Sequence, residues 1–113
     1  MSCLFCRIVE GTIPSRIIHS DDQLVAFHDI NPQAPLHVLI VPKRHISTTN
    51  ELGDGDDGLV GAMVRRAAAI AKEHGFGERG YRTVLNCNGD AGQSVFHIHA
   101  HLLAGRRMTW PPG

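Results

Sequence analysis

The amino-acid sequence predicts an α+β fold, in which one short and one long helix accompany a largely antiparallel sheet of five strands. Segments with strand character are joined early in the chain by a link of hairpin length, and only one helical segment is long enough to cover a sheet face. The chain of 113 residues is the size of one domain, which we expect to span residues 1–113. A face or an edge of the sheet then stays open, which favours dimerisation.

The two helices are predicted from apolar spacing and from the residues that end them. Residues 3–10 are compatible with a short helix. Between residues 59 and 74 apolar side chains recur at helical spacing, which predicts the long helix. We expect Asp56 or Asp57 to cap its N-terminus and Gly75 to end it.

The five strands are predicted where apolar and β-branched residues lie between turn-forming segments. They cover residues 16–22, 23–29, 37–42, 81–86 and 97–104, with a turn at Asp21 and Asp22 between the first two. Two prolines make residues 31–35 a loop, and glycines make residues 87–94 another.

Composition excludes several classes of protein. Lys+Arg and Asp+Glu both number 11, so we expect no nucleic-acid backbone as partner. No segment approaches the roughly 20 apolar residues of a membrane span, and the N-terminus lacks the pattern of an export signal. Three cysteines, an odd number, fit a reducing cytoplasm. The anomaly is the presence of eight histidines.

Three of these histidines alternate with apolar residues in the segment "HIHAHLL", residues 97–103. On a strand, this alternation would place His97, His99 and His101 on one face. The outer two Cα atoms would lie roughly 13 Å apart, which disfavours a single three-histidine metal centre but lets two neighbours share an ion. A solvated polar face is the alternative. However, the preceding loop offers Gly92 and Ser94 as part of an anion-binding nest, which favours phosphoryl chemistry.

Longer segments carry a family resemblance. "HIHAHLL", "AFHDINPQAPLHVLIVPKRHIS", "NCNGDAGQSVFHIHAHLLAGRRM" and the closing "WPPG" resemble the histidine triad superfamily, in its branch of histidine triad nucleotide-binding proteins, from residue 5 to residue 113. The resemblance implies the histidine triad fold and a homodimer whose two sheets join into ten strands. It also implies that the tail, residues 105–113, lies near the partner's active site, where Trp110 would influence the leaving group accepted.

The same resemblance implies an activity. Members of this branch bind purine nucleotides and cleave nucleoside 5'-phosphoramidates, such as AMP joined to an amine, at the α-phosphate through a nucleotidyl-histidine. His99 matches the nucleophile, and neutral imidazole is a plausible attacking group at pH 7. His101 matches a donor to a phosphate oxygen, Ser94 lies near the leaving group, and His37 orients the triad.

The nucleotide contacts are also implied by the resemblance. Asp29 matches the carboxylate that accepts hydrogen bonds from the ribose hydroxyls. The apolar walls of the base pocket match Phe5, Ile8, Phe27 and Ile30, although core packing is the simpler interpretation of each alone. The phosphate side matches Asn86, Gly92, Ser94, His99 and His101. His19, His28 and His74 receive no role.

A structural zinc site is implied at the other end of the triad. "CLFC" is a Cys-x-x-Cys pair of Cys3 and Cys6, a pattern that alone is only suggestive of zinc. The resemblance adds His45 and His97, which would complete a closed tetrahedral site. His97 could then not act freely as a proton relay. Cys87 is interpreted as a free, small hydrophobe.

Three other functions stay open at this point. The first is hydrolysis of dinucleoside polyphosphates, against which "WPPG" argues. The second is a nucleotide-binding regulatory protein with slow hydrolysis, and the third is a small zinc-binding interaction protein. The residues also leave open which amine is released and whether adenine or guanine is preferred.

Overall fold

The computed structural model describes residues 3–113. It contains a five-stranded antiparallel sheet with strand order β1-β2-β3-β5-β4 and two α-helices, as predicted. The helices are α1 (Leu4–Glu10) and α2 (Asp57–Glu73). The strands are β1 (Ile17–Ser20), β2 (Leu24–His28), β3 (Leu36–Pro42), β4 (Tyr81–Val84) and β5 (Ala100–Ala104). Among the described residues, no helix combines the length and apolar character needed to cross a bilayer.

The two helices cover opposite faces of the sheet. On one face, α2 packs the buried side chains Met63, Ala67, Ile70 and Ala71 against alternate residues of the central strands, among them Val38, Ile40 and Leu102. On the other face, α1 packs Phe5 and Ile8 against Phe27, Leu39 and Val41. Strand β3 is therefore buried on both sides. Because α1 has only seven residues, it covers only part of its face.

Local sequence explains the C-terminal end of α2, whereas the side-chain cap predicted at its N-terminal end is wrong. Gly75 follows α2 with φ +85°, a conformation that glycine adopts without strain, as predicted. Asp56 precedes α2, but its side chain does not cap the helix. Its carboxylate instead accepts a hydrogen bond from the Gly53 N–H at 2.9 Å and pairs with Arg44. The expected cap is therefore replaced by a link to the loop after β3.

The predicted turn between β1 and β2 is confirmed. The Asp21 carboxylate accepts hydrogen bonds from the N–H groups of Gln23 and Leu24 at 2.8 and 2.9 Å. It also lies 2.7 Å from the His19 ring. These hydrogen bonds, that of His19 foremost, lower the pKa of Asp21 to about 2.

The last strand begins later than predicted. It starts at Ala100 rather than at residue 97, because the ladder with β3 ends at the pair Ile40–Ala100. Beyond it, the Ile98 N–H donates to the Ile46 carbonyl at 2.7 Å. His97, Ile98 and His99 are all buried, so simple alternation between an open and a core face does not hold for this segment.

Candidate active site

A cleft of about 580 Å³ opens between α1 and the sheet face that α1 covers in part. One part of its wall is apolar and includes Phe5, Ile8, Ile13, Phe27, Leu39 and Val95. The rest is polar and includes Asp29, His37, Ser94, His99 and His101. A pocket of this size, apolar with a few convergent polar groups, is typical of sites for small organic ligands.

The structure brings together all but one of the predicted cleft residues. Asn86 lies two residues beyond β4 and is not among the residues that line the cleft. Ile30 lines it only at the rim, since 98% of this residue is exposed. Sequence reasoning missed Leu39 and Ile13. Leu39 was detectable, because it alternates with His37 on a predicted strand, whereas Ile13 follows α1 in irregular chain and carries no such signal.

His99 is held in one tautomer by its own chain. Its Nδ1 lies 2.7 Å from the His97 carbonyl oxygen, and a carbonyl can only accept, so Nδ1 carries the hydrogen. The lone pair is then on Nε2, which makes no hydrogen bond within residues 3–113. The ring is buried, with Phe5 packed edge-on at 5.0 Å between centroids. Burial lowers the pKa of His99 and so favours neutral imidazole.

His37 and His101 form a pair whose hydrogens follow from the same reasoning. The Gln33 N–H donates to Nδ1 of His37 at 3.0 Å, so the hydrogen of His37 is on Nε2. That Nε2 lies 2.9 Å from Nδ1 of His101 and donates to it. His101 consequently carries its hydrogen on Nε2, as a donor. Burial, together with the neighbouring His99 and His37, lowers the pKa of His101 to about 4, so the ring is neutral at pH 7.

Asp29, His37 and His101 also lie close enough to be considered as metal ligands. However, the 2.9 Å between the ring nitrogens is shorter than the separation of about 3.3 Å between two nitrogens on tetrahedral zinc. The group is therefore better described as a hydrogen-bonded chain. The Asp29 carboxylate lies 3.4 Å from Nε2 of His37, and its other oxygen accepts from the Asn31 N–H at 2.8 Å.

The loop before the triad is held by a buried side chain that sequence reasoning missed. The Gln93 amide accepts from the Asn88 N–H at 2.8 Å and donates to the carbonyls of Ser47 and Val95 at 2.9 and 3.1 Å. Gly92, with φ +84°, completes a tight turn just before it. A polar residue flanked by two predicted cleft residues was the only signal available for Gln93.

The four predicted zinc ligands lie together beside the cleft. Their ligand atoms are all within 4.8 Å of one another. Nδ1 of His97 lies 3.4 Å from Cys3 Sγ, 3.5 Å from Cys6 Sγ and 3.3 Å from Nδ1 of His45. Nδ1 of His45 lies 3.3 Å from Cys6 Sγ. Bonds of 2.3 Å to sulfur and 2.0–2.1 Å to nitrogen give tetrahedral edges of about 3.5 Å for S···N and about 3.3 Å for N···N. The donor set therefore fits zinc.

In both histidines of this cluster, a hydrogen-bond acceptor beside Nε2 leaves the lone pair on Nδ1, the nitrogen that faces the other ligand atoms. Nε2 of His97 lies 2.7 Å from the Pro42 carbonyl and donates to it, so the lone pair is on Nδ1. Nε2 of His45 lies 3.4 Å from the Ser47 hydroxyl, which can accept from it. Without metal, burial and the hydrogen bond with Cys3 raise the pKa of Cys6 to about 11. Binding of a metal would release the thiol protons.

The alternation of residues 97–101 predicted that the three histidines line one face of a strand. That prediction is wrong. His97 is fully buried in the cysteine cluster, whereas His99 and His101 line the cleft. The tail also contacts its own subunit: Arg106 Nε donates to the Gln33 carbonyl at 2.8 Å, and Arg82 donates to the Thr109 carbonyl at 3.0 Å. Trp110 is 82% exposed.

Comparison with known proteins agrees with this architecture. A family profile described as "Scavenger mRNA decapping enzyme C-term binding" matches residues 2–109. The purine nucleoside phosphoramidase of Escherichia coli K12 is 46% identical over 105 residues, which are 93% of this chain and 88% of that protein. A HIT family hydrolase from Legionella pneumophila Philadelphia 1 is 51% identical with a TM-score of 0.97, covering 99% of this chain and 100% of the other. A histidine triad protein from Clostridium difficile is 42% identical with a TM-score of 0.93, covering 96% and 95%. The chain belongs to the histidine triad family.

Proposed function

We propose that this protein is a hydrolase that cleaves purine nucleoside 5'-phosphoramidates at the α-phosphate through a nucleotidyl-histidine intermediate. The observation that carries the proposal is the tautomer of His99, whose Nδ1–H donates to the His97 carbonyl at 2.7 Å and leaves the Nε2 lone pair beside the cleft. The similarity to a purine nucleoside phosphoramidase supports the choice of substrate.

In the first step, Nε2 of His99 attacks the α-phosphorus, an N–P bond forms, and the P–N bond to the amine breaks. The departing amine takes a proton, for which the Ser94 hydroxyl at the cleft wall is the candidate donor. His101 donates from Nε2 to a phosphate oxygen, and backbone N–H groups near Gly92 add to this stabilisation. Water then attacks the phosphorus and breaks the N–P bond, and the proton that the water loses returns to the Ser94 oxygen, so the nucleoside monophosphate is released and both His99 and Ser94 are regenerated.

The rest of the cleft suits the nucleoside. The rings of Phe5 and Phe27, packed edge-to-face at 5.5 Å, and the side chain of Ile8 supply an apolar wall for the base. Asp29 directly follows β2, and its carboxylate lines the cleft as an acceptor for the ribose hydroxyls. We leave Asn86 out of the proposed contacts because it does not line the cleft.

We also propose that Cys3, Cys6, His45 and His97 bind a structural zinc ion. A zinc ion there would link the start of α1 to the segment that carries His99, because Cys3 caps α1 and His97 provides the carbonyl that orients His99. All four positions would be filled by protein, so no position is left for a catalytic water. Thiolate ligands and the free Cys87 suit a reducing compartment, and we propose the cytoplasm.

We further propose a homodimer in which two copies of β4 pair to give a ten-stranded sheet. Strand β4 is at an edge of the sheet and, within residues 3–113, pairs only with β5. The hydrogen bond from the Arg82 guanidinium of β4 to the Thr109 carbonyl shows that the tail lies beside this edge. This supports a path of the tail towards the partner. Exposed sheet edges are favoured sites of such pairing.

The function is tested by trapping the intermediate. Wild-type protein is mixed with the phosphoramidate of AMP and an alkylamine, denatured within milliseconds at alkaline pH, and examined by mass spectrometry. We expect an added nucleotidyl group that peptide mapping assigns to His99, and no adduct on His99→Ala. An adduct on another residue, or equal turnover by His99→Ala, would refute the mechanism. Diadenosine polyphosphate, assayed in parallel, tests the substrate class, since faster turnover of that compound would contradict the assignment.

A further inference from the structure

The loop between β2 and β3, residues 29–35, is held against the beginning of the tail. Arg106 Nε donates to the Gln33 carbonyl at 2.8 Å. Beside it, Gly105 has φ +98°, and a Cβ built there would lie 2.8 Å from Cβ of Pro35. Only glycine satisfies both the backbone angle and this close approach. The tail therefore contacts the loop at two adjacent positions.

The same loop residue that Arg106 binds also contacts the histidine pair. The Gln33 N–H donates to Nδ1 of His37 at 3.0 Å, while its carbonyl accepts from Arg106. Within residues 3–113, no other group donates to that nitrogen. Gln33 itself is exposed, so apart from the hydrogen bond of its amide to the Asn31 carbonyl at 3.0 Å, its position depends largely on these two backbone contacts.

The Gln33 N–H determines where the hydrogens of both rings are. With Nδ1 of His37 occupied as an acceptor, His37 must donate from Nε2, and it does so to His101 at 2.9 Å. If the N–H moved away, His37 could carry its hydrogen on Nδ1, and His101 would then have to donate from Nδ1 towards His37. Its Nε2 would lose the hydrogen that the proposed reaction directs at the phosphate.

We propose that Arg106 is a positioning residue that, through the backbone of Gln33, keeps the His37–His101 pair in the tautomer in which His101 donates from Nε2. The inference deepens the proposed function and rests on it for its kinetic consequence. The tautomer itself is a property of the free protein. Within residues 3–113, the Arg106 side chain hydrogen-bonds only to the backbone of Gln33 and Arg107, and Arg106 is not among the residues that line the cleft.

The effect on protonation follows from the groups around His37. These are Asp29 at 3.4 Å, His101 at 2.9 Å, and His99, which packs against His101 with 4.9 Å between ring centroids. A backbone N–H aimed at Nδ1 opposes protonation there, in the same direction as burial, which lowers the pKa of His37. Without that N–H, the His37–His101 pair is protonated more easily. The fall of the rate in acid, which is the acid limb of the pH–rate profile, should therefore occur at higher pH.

The direct test is nitrogen-15 NMR of the histidine side chains in the free, metal-loaded protein. Wild type should show His37 and His101 with hydrogen on Nε2. In Arg106→Ala, we expect both tautomers of His37 to be populated. Arg107→Ala is the matched control, because the neighbouring exposed arginine has no side-chain hydrogen bond within the described residues. Arg106→Lys, which keeps a donor, should return most of the wild-type pattern. Gly105→Ala, which presses on Pro35, should act like Arg106→Ala.

The kinetic arm uses an AMP-alkylamine substrate. We expect kcat of Arg106→Ala to fall about 3- to 10-fold, the factor that loss of one hydrogen bond gives, with KM within about twofold. The acid limb of the pH–rate profile should move to higher pH in Arg106→Ala, and Arg107→Ala should behave as wild type. An unchanged His37 tautomer in Arg106→Ala would overturn the inference, whether or not kcat fell. If the His37 tautomer changes in Arg106→Ala but the wild-type protein hydrolyses no phosphoramidate, the proposed function is refuted and the positioning role of Arg106 stays intact.

Discussion

His97 and His99 lie two residues apart and are both buried, yet the structure gives them opposite tautomers. In His97, Nε2 donates to the Pro42 carbonyl and Nδ1 faces two thiols and His45. In His99, Nδ1 donates to the His97 carbonyl and the Nε2 lone pair is left beside the cleft. The difference shows that the nitrogen engaged by a backbone carbonyl decides where an imidazole presents its lone pair, in His97 towards the cysteine cluster and in His99 beside the cleft.

The surroundings of the two rings differ in the same sense. The cluster around His97 offers four ligand atoms within 4.8 Å of one another, the number that a closed tetrahedral zinc site would need. The ring of His99 instead borders a cleft of about 580 Å³. Phe5 lies between them, with ring centroids 6.0 Å from His97 and 5.0 Å from His99. One site is therefore suited to stability and the other to chemistry, although a single peptide segment supplies both.

The largest effect should come from removing the metal. If the proposed zinc ion is bound, it would link α1 to the segment before β5, so we expect a strong chelator to lower the free energy of unfolding of the zinc-loaded protein by at least about 4 kcal/mol. Urea denaturation with and without chelator measures this. Cys3→Ser/Cys6→Ser should show no response to the chelator, and His99→Ala should respond as wild type does. A wild-type protein that contains no zinc by elemental analysis, when produced with zinc present, would contradict the site.

A smaller effect should be confined to the cleft. Asp29→Ala should lower kcat/KM for a ribonucleoside phosphoramidate about 100-fold, because the half-buried carboxylate proposed to accept from two ribose hydroxyls is lost. The deoxyribose analogue should be far less affected, so that the preference for ribose nearly disappears. Metal content and stability should match wild type. An equal loss with both sugars would show that Asp29 acts by another route, such as its 3.4 Å contact with His37.

The smallest effect should be a pH dependence of stability that belongs to the cleft. The pKa of His101 is about 4 in the folded protein and about 6.5 when unfolded, so the unfolded state binds more protons between these values. The stability that His101 contributes should be fully present above pH 6.5 and should be lost as the pH drops towards 4. His101 contributes about 2 kcal/mol after allowance for its partial exposure. The difference between wild type and His101→Gln at each pH isolates this contribution, since any loss of metal in acid is common to both. Parallel curves for the two proteins would contradict it.

Most of the fold was accessible from the sequence because its signals are local. Apolar spacing predicted α2 to within two residues of its start, and Asp21 with Asp22 marked the turn between β1 and β2. Ends of elements were less accessible. The start of β5 depends on where β3 stops pairing, and the side chain of Asp56 depends on Gly53 and on Arg44 in the loop after β3.

The candidate site divides in the same way. The residue types at positions 97, 99 and 101, the glycine-rich loop and the Cys-x-x-Cys pair were visible in the sequence, and with them the membership of the histidine triad family. Gln93, whose amide holds the loop before the triad, and Arg106, which hydrogen-bonds to the 29–35 loop, were not distinguishable from other polar residues. Their partners are backbone atoms distant in sequence, and no side-chain pattern records those.

The sequence by itself determined which chemical groups are present and on which elements they lie, because helix and strand periods and turn residues act over a few neighbours. Only the tertiary structure decided that the alternating histidines separate into two sites. That separation requires the Pro42 carbonyl, His45 in the loop after β3, and Cys3 and Cys6 at the start of α1 to meet at His97, contacts that span 52 to 94 residues of chain. Hydrogen-bond direction at each imidazole follows from that meeting, and it turns the lone pair of one ring towards the cysteine cluster and leaves that of the next beside the cleft.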